Sequence, residues 1–211
     1  MDVDLSVGKR IRLPDHETYY RLLTEASTGL IEPEELFVLR EAGILVVGCG
    51  AVGANVVESL VRAGCEWLKL VDPKTCDIHH LGRMAIDLRS LERNRAEVMA
   101  ERAADINPFA TIEAVPEGIT ASNASALLDD IDIVIDTLGI ESNADLTARY
   151  CLHAAAHAQN IPVICGFDVA CAGWVLIYDY RDEKQEILDG AFDDEDLDPD
   201  VAADKIEILT R

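Results

Sequence analysis

Gly43-Ile44-Leu45-Val46-Val47-Gly48-Cys49-Gly50-Ala51-Val52-Gly53 carries an apolar run straight into Gly-x-Gly-x-x-Gly, and a helical pattern follows. An unbroken Ile-Leu-Val-Val run reads as a strand buried on both faces, the kind a parallel sheet requires. The three glycines have separate tasks. Gly48 permits the tight turn, Gly50 lets backbone N–H groups approach a phosphate with no Cβ in the way, and Gly53 lets the helix pack against the strand. A second strand, Trp67-Leu68-Lys69-Leu70-Val71, ends on Asp72. That acid lies about 20 residues past the last glycine, where a carboxylate that accepts ribose hydroxyls belongs. Strand, turn, helix and acid together predict a nucleotide site containing Gly48, Gly50, Ala51, Val52, Gly53 and Asp72. An NAD-dependent oxidoreductase fits the same residues, and so does a glycine-rich turn that binds nothing.

Outward from this unit the pattern repeats. Residues 15–42 read as a helical extension in which Tyr19, Leu22 and Leu23 share a face, and Pro33-Glu34-Glu35 opens a helix. Residues 76–90 read as a loop with two adjacent histidines, and residues 91–106 as a helix closed by Asn107-Pro108. Strands follow at 111–115, at 131–136 (ending on Asp136) and at 161–166, with helices at 124–128 and 145–158 between them; 174–178 is expected as a final antiparallel strand. This order predicts a doubly wound, mostly parallel Rossmann-like α/β sheet with helices on both faces. The expected division is 1–42 as N-terminal extension, 43–188 as the nucleotide-binding domain and 189–211 as an acidic tail. In such sheets ligands sit beyond the carboxyl ends of the strands, so the glycine turn, Asp72 and Asp136 are expected around one crevice.

The 211 residues include 40 acids against 18 bases, a formal net charge of -22. Such a surface repels polyanions, so nucleic acid and anionic membranes are poor partners. A salty cytoplasm that screens self-repulsion is an equally good reason for it. The six cysteines, at 49, 65, 76, 151, 165 and 171, form no Cys-x-x-Cys pair, which argues against a zinc site. Cys49, Cys65 and Cys165 read as small buried hydrophobes, and Cys171 as an inert thiol in preference to a nucleophile. With an acidic amino terminus and no apolar run near 18 residues, a cytoplasmic protein is expected.

The segment from Val71-Asp72-Pro73-Lys74 to His79-His80-Leu81-Gly82-Arg83 resembles the V-D-x-D-x-V-x-x-S-N-L-x-R-Q stretch of the ThiF, MoeB and HesA family, relatives of ubiquitin-activating enzymes. Asn94-Arg95-Ala96-Glu97, Ala104-Asp105-Ile106-Asn107-Pro108 and Asp132-Ile133-Val134-Ile135-Asp136-Thr137 continue the likeness over roughly residues 20 to 180. The resemblance implies ATP-dependent adenylation of a carboxylate with release of pyrophosphate, and a homodimer. It implies that Asp72 holds the ribose and Arg83 neutralises phosphate, with Lys74, His80, Asp136, Leu138 and Gly139 also at the nucleotide. Arg21 is placed, through a loose Tyr19-Tyr20-Arg21 match, in the neighbouring subunit's site. Three positions depart from the family pattern: its asparagine falls on His80, its phosphate lysine on Arg95, and its magnesium aspartate on Gly139. Arg95 keeps the charge and clamps phosphate. Asp136 or Glu141 is then expected to hold magnesium. Short relatives serve cofactor and natural-product assembly, among them iron-guanylylpyridinol synthesis, so the implied substrate is a small-molecule carboxylate such as a pyridinol acid, handed on to an acyl-acceptor protein. Activation of the terminal glycine of a ubiquitin-like sulfur carrier, and a non-catalytic nucleotide-binding module, are the alternatives.

Overall fold

A short antiparallel hairpin, β1 (Asp2–Leu5) with β2 (Lys9–Arg12), precedes the extension and was not anticipated from the sequence. It belongs to a computed structural model that describes residues 2–5, 9–139, 142–169 and 172–190. Two helices follow, α1 (His16–Leu23) and α2 (Pro33–Glu41). Asp15 caps α1 by accepting the Thr18 N–H, and Pro33 begins α2, where its missing N–H costs nothing. The tyrosines of α1 tie it down: Tyr19 Oη donates to the Ile106 carbonyl at 2.5 Å and Tyr20 Oη to that of Leu36 at 3.0 Å. His16 stacks on Phe109 and pairs with Glu66, which also accepts from Arg40 at 2.8 Å.

The decisive run forms β3 (Gly43–Val47), every residue of it buried, and leads into α3 (Ala51–Ala63) and β4 (Trp67–Val71). The chain continues through α4 (Arg95–Ile106), β5 (Thr111–Val115), α5 (Ala124–Leu127), β6 (Ile133–Asp136), α6 (Asn143–Ala158), β7 (Val163–Val169) and β8 (Ala172–Tyr178). The strand order is β5-β4-β3-β6-β7-β8, parallel except for β8. Because β3 is central, alternate side chains serve two cores. Leu45 and Val47 pack with Leu128, Leu152 and Val163 under α5 and α6. Ile44 and Val46 pack with Val57, Leu70 and Met99 under α3 and α4. The chain therefore forms the doubly wound sheet expected of it, and among the described residues no helix is long and apolar enough to cross a membrane.

Several boundaries differ from expectation. The helix expected from 91 starts at Arg95, because Asn94 caps it and residues 91–93 are drawn back to the loop by bonds between Cys76 and both Glu92 and Arg93. The 76–90 loop holds two 3-10 turns, Ile78–Gly82 and Leu88–Ser90. Ser142 rather than Asp145 opens the long helix, and β7 runs on to Val169. Of the expected acidic tail, Asp189 and Gly190 close a 3-10 turn whose Leu188 is buried; 191–211 lie outside the described residues.

Candidate nucleotide site

A cavity of about 280 Å³ opens at the carboxyl ends of β3, β4 and β6, where the chain reverses its direction of travel across the sheet. Such switch points are the general ligand site of open α/β sheets. Gly48 and Gly53 have the turn and packing tasks their spacing implied. Gly48 has φ +91°, and a Cβ on it would stand 2.8 Å from the Thr137 carbonyl oxygen. A Cβ on Gly53 would lie 1.8 Å from the Gly48 oxygen, so helix and turn touch only because neither carries a side chain. Gly50 differs: the nearest atom to a Cβ is Arg95 Nη1, 3.8 Å away, so open space lies above it inside the cavity wall.

Asp72 is 3 % exposed and its two oxygens are aimed by backbone. Cys49 N–H donates to Oδ2 at 2.7 Å and Lys74 N–H to Oδ1 at 2.8 Å, while Arg95 Nη1 stands 3.8 Å from Oδ2. Burial lifts this carboxyl above its ordinary value, against the pull of those N–H groups and Arg95. Arg95 is steadied by the Thr75 carbonyl at 3.1 Å, and its Nη2 lies 2.7 Å from His80 Nε2. His80 Nδ1 meanwhile accepts the Asp77 N–H at 2.7 Å. A neutral imidazole has one lone pair for two such donors, so the contacts compete. Burial, and then Arg95, hold the His80 pKa below its usual value. His80, expected from the family resemblance at the nucleotide, thus stands behind Arg95 and outside the cavity wall.

Asp136, expected from the sequence as a magnesium ligand, lies beneath the cavity and outside its wall. It has no exposure, and its carboxylate accepts from Arg149 Nε at 2.6 Å and from Leu138 N–H at 2.8 Å, with His153 Nε2 at 3.2 Å. Burial alone would raise its pKa, but the His153 bond and the Arg149 charge outweigh that and hold it at about 2. Arg149 also donates to the Leu138 carbonyl at 2.5 Å, and His153 Nδ1 meets Tyr180 Oη at 2.7 Å. This buried network fixes the backbone of the cavity's β6 side from beneath.

The structure brings Gly48, Gly50, Asp72, Lys74, Arg95, Leu138 and Gly139 to the cavity wall. It leaves Gly53 in the helix contact behind the turn, and Ala51 and Val52 on the first turn of α3 outside that wall. Arg83 is exposed and outside the wall, because the turn that ends at Gly82 directs His80 and Met84 inward on either side of it. Arg21 is exposed on α1, which packs at the amino ends of β4 and β5, the opposite end of the sheet from its own chain's cavity. Glu141 and Cys171 lie outside the described residues. Sequence reasoning missed Ser142 and Asp145. Ser-x-x-Asp before an apolar helix is a capping signal, and the same Asp145 lines the cavity, with Lys74 Nζ at 3.0 Å and Ser142 Oγ donating at 2.7 Å.

Glycine turn, buried acid and arginine surround a switch-point cavity in an α/β domain, the layout of a candidate nucleotide site. Residues 24–207 match the ThiF family, and the chain belongs to that family. An adenylyltransferase and sulfurtransferase UBA4 from Lodderomyces elongisporus is 26% identical over 171 residues, covering 81% of this chain and 36% of that protein. A tRNA threonylcarbamoyladenosine dehydratase from Haemophilus influenzae is 35% identical over 125 residues, 58% of this chain and 48% of that protein. The E. coli dehydratase of that name, TcdA, solved in complex with ATP, superposes with a TM-score of 0.64 at 25% identity, over 76% of this chain and 65% of that one. The chain thus spans between a third and a half of the two curated relatives' length.

Proposed function

We propose that this chain binds ATP and activates a carboxylate as its acyl-adenylate. A carboxylate oxygen attacks the α-phosphorus, the bond from that phosphorus to the bridging oxygen breaks, and pyrophosphate leaves with the electron pair. The observation that carries the reading is the cavity itself, in which a backbone-aimed Asp72 and the Arg95 guanidinium 3.8 Å from it flank the open space over Gly50. Asp72 accepts the ribose hydroxyls, and Val71, Pro73, Ile119 and Ala148 offer apolar surface to the base. Arg95 turns from His80 to meet the phosphates bidentately, and its fixed charge stabilises the one that grows there. Little covalent chemistry falls to the protein, so positioning dominates. The ATP complex of the related dehydratase supports this choice of nucleotide.

Asp145 is the cavity carboxylate that fits a magnesium ion, which needs only one or two protein carboxylates when phosphates and waters complete its shell. When bound, the ion would neutralise the departing pyrophosphate. Arg83, which the family resemblance assigns to phosphate, would act from outside the cavity wall. Arg83→Ala is expected to slow turnover while leaving the fold unchanged; unaltered turnover removes it from the mechanism.

The substrate is proposed to be a small-molecule carboxylate such as a pyridinol acid, passed on to an acceptor protein. A tail glycine of a ubiquitin-like sulfur carrier is the second reading, in keeping with a Thermus thermophilus relative, 26% identical, named sulfur carrier protein adenylyltransferase. A net charge of -22 weighs against a tRNA substrate. Pyrophosphate–ATP exchange tests the proposal. Exchange that depends on one of the candidate carboxylates is expected. Tight ATP binding without exchange would make this a binding module, and thermal stabilisation by NADH alone would make it an oxidoreductase.

A further inference from the structure

Lys74 and Asp145 close an ion pair inside the cavity, joining the loop after β4 to the first turn of α6 on the far side of β3. Lys74 Nζ lies 3.0 and 3.2 Å from the two carboxylate oxygens, and Ser142 Oγ donates to one of them. We propose that Lys74 is the resident cation of the nucleotide site, so that ATP binds without a divalent ion and a metal reaches Asp145 only after Lys74 has let go. The inference rests on the nucleotide reading above.

The base of Lys74 is fixed by backbone bonds, while its ion-paired side chain is half-exposed. Its N–H donates to Asp72 Oδ1 at 2.8 Å and its carbonyl accepts the Arg95 N–H at 3.0 Å, yet its side chain is 52% exposed. An ammonium on a four-carbon stem can therefore turn from Asp145 to a phosphate without moving the ribose acid. Charge balance gives that movement its purpose. Asp72 and Asp145 oppose Lys74 and Arg95 in the wall. Without Lys74 the two carboxylates outnumber one guanidinium, and a triphosphate meets a net negative site. Among the described residues no three His, Cys, Asp or Glu side chains cluster as a metal cage. Of the two carboxylates among the described wall residues, Asp72 is held by the Cys49 and Lys74 N–H groups, so a divalent ion at Asp145 competes against a cation already seated on both its oxygens.

Calorimetric ATP titrations in EDTA and in magnesium test this on the wild type, Lys74→Met and the double variant Lys74→Met/Asp145→Asn, with thermal melts to confirm folding. Wild-type affinity is expected to change by less than about threefold between the two buffers. Lys74→Met should bind about tenfold or more weakly in EDTA and recover in magnesium, because the uncompensated Asp145 then needs a metal. The double variant, which loses both charges, should regain affinity in EDTA to within about threefold of wild type, the signature of a coupled pair. The proposal is overturned if wild type needs magnesium to bind, if Lys74→Met shows wild-type magnesium dependence, or if the double variant stays as weak as the single one. ATP bound only with magnesium leaves the nucleotide reading intact; no ATP binding by the wild type in either buffer sinks both.

Discussion

Arg95 leans over the one glycine of the turn that has room above it, held by a carbonyl on one side and His80 on the other. Removing the guanidinium leaves phosphate without its pre-placed partner. Arg95→Ala should therefore weaken ATP binding by about tenfold or more, since a charge-assisted bidentate contact is about twice as strong as a neutral one, with the melting temperature near wild type; equal affinity in a titration would refute the role. Asp136 acts on stability instead. Leaving Arg149 buried without its partner should cost about 3–5 kcal/mol in Asp136→Ala, read from a denaturant titration. The pH dependence has a definite sign. A carboxyl held at about 2 in the fold and about 3.9 in the unfolded chain stabilises fully above about pH 4 and loses that contribution as the pH falls towards 2. His80, lowered from 6.5, destabilises from the point where the unfolded chain begins to take up protons, so melting temperature should start to fall below about pH 6.5. His80→Asn should flatten that upper limb only. Asp72 was legible from spacing because its place after β4 is dictated by topology. Asp145 and Arg149 were not, since a helix-capping acid and a mid-helix arginine look like ordinary surface charges until the crevice is closed around them.

At the level of elements, the glycine turn separates packing from binding. A Cβ at Gly53 collides with backbone, whereas one at Gly50 meets nothing closer than Arg95 Nη1. Gly53→Ala should therefore fold poorly or melt well below wild type, while Gly50→Ala should melt normally and lose nucleotide affinity; the reverse ranking would contradict the geometry. Strands β3, β4, β6 and β7 were readable because each carries an apolar run bounded by glycine, proline or aspartate, and their alternation with helices leaves few topologies. What escaped reading was local. Asn94 and Ser142 cap helices at places hydrophobic periodicity does not mark, and β1 and β2 carry too little apolar sequence to announce a hairpin.

For the whole molecule, a charge of -22 implies self-repulsion that salt relieves. The melting temperature should rise between about 0.1 M and 1 M sodium chloride as the Debye length falls from about 10 to 3 Å, and a flat response would show that the acids are already locally paired. For the homodimer that the family resemblance implies we propose a face: β8, at the sheet edge among the described strands, exposes Trp174, Val175, Leu176 and Ile177, with Val175 69% and Ile177 67% exposed. An open apolar edge is otherwise a liability. Light scattering at twice the chain mass, falling to one in Val175→Glu/Ile177→Glu, is the proposed outcome; a monomeric wild type would refute it. The most direct test of the central claim is a crystal structure of the protein with ATP bound. The account predicts ribose hydroxyls on Asp72 and phosphate against Arg95 over Gly50; a nucleotide seated elsewhere, with this cavity empty and Arg95 still bound to His80, would contradict it.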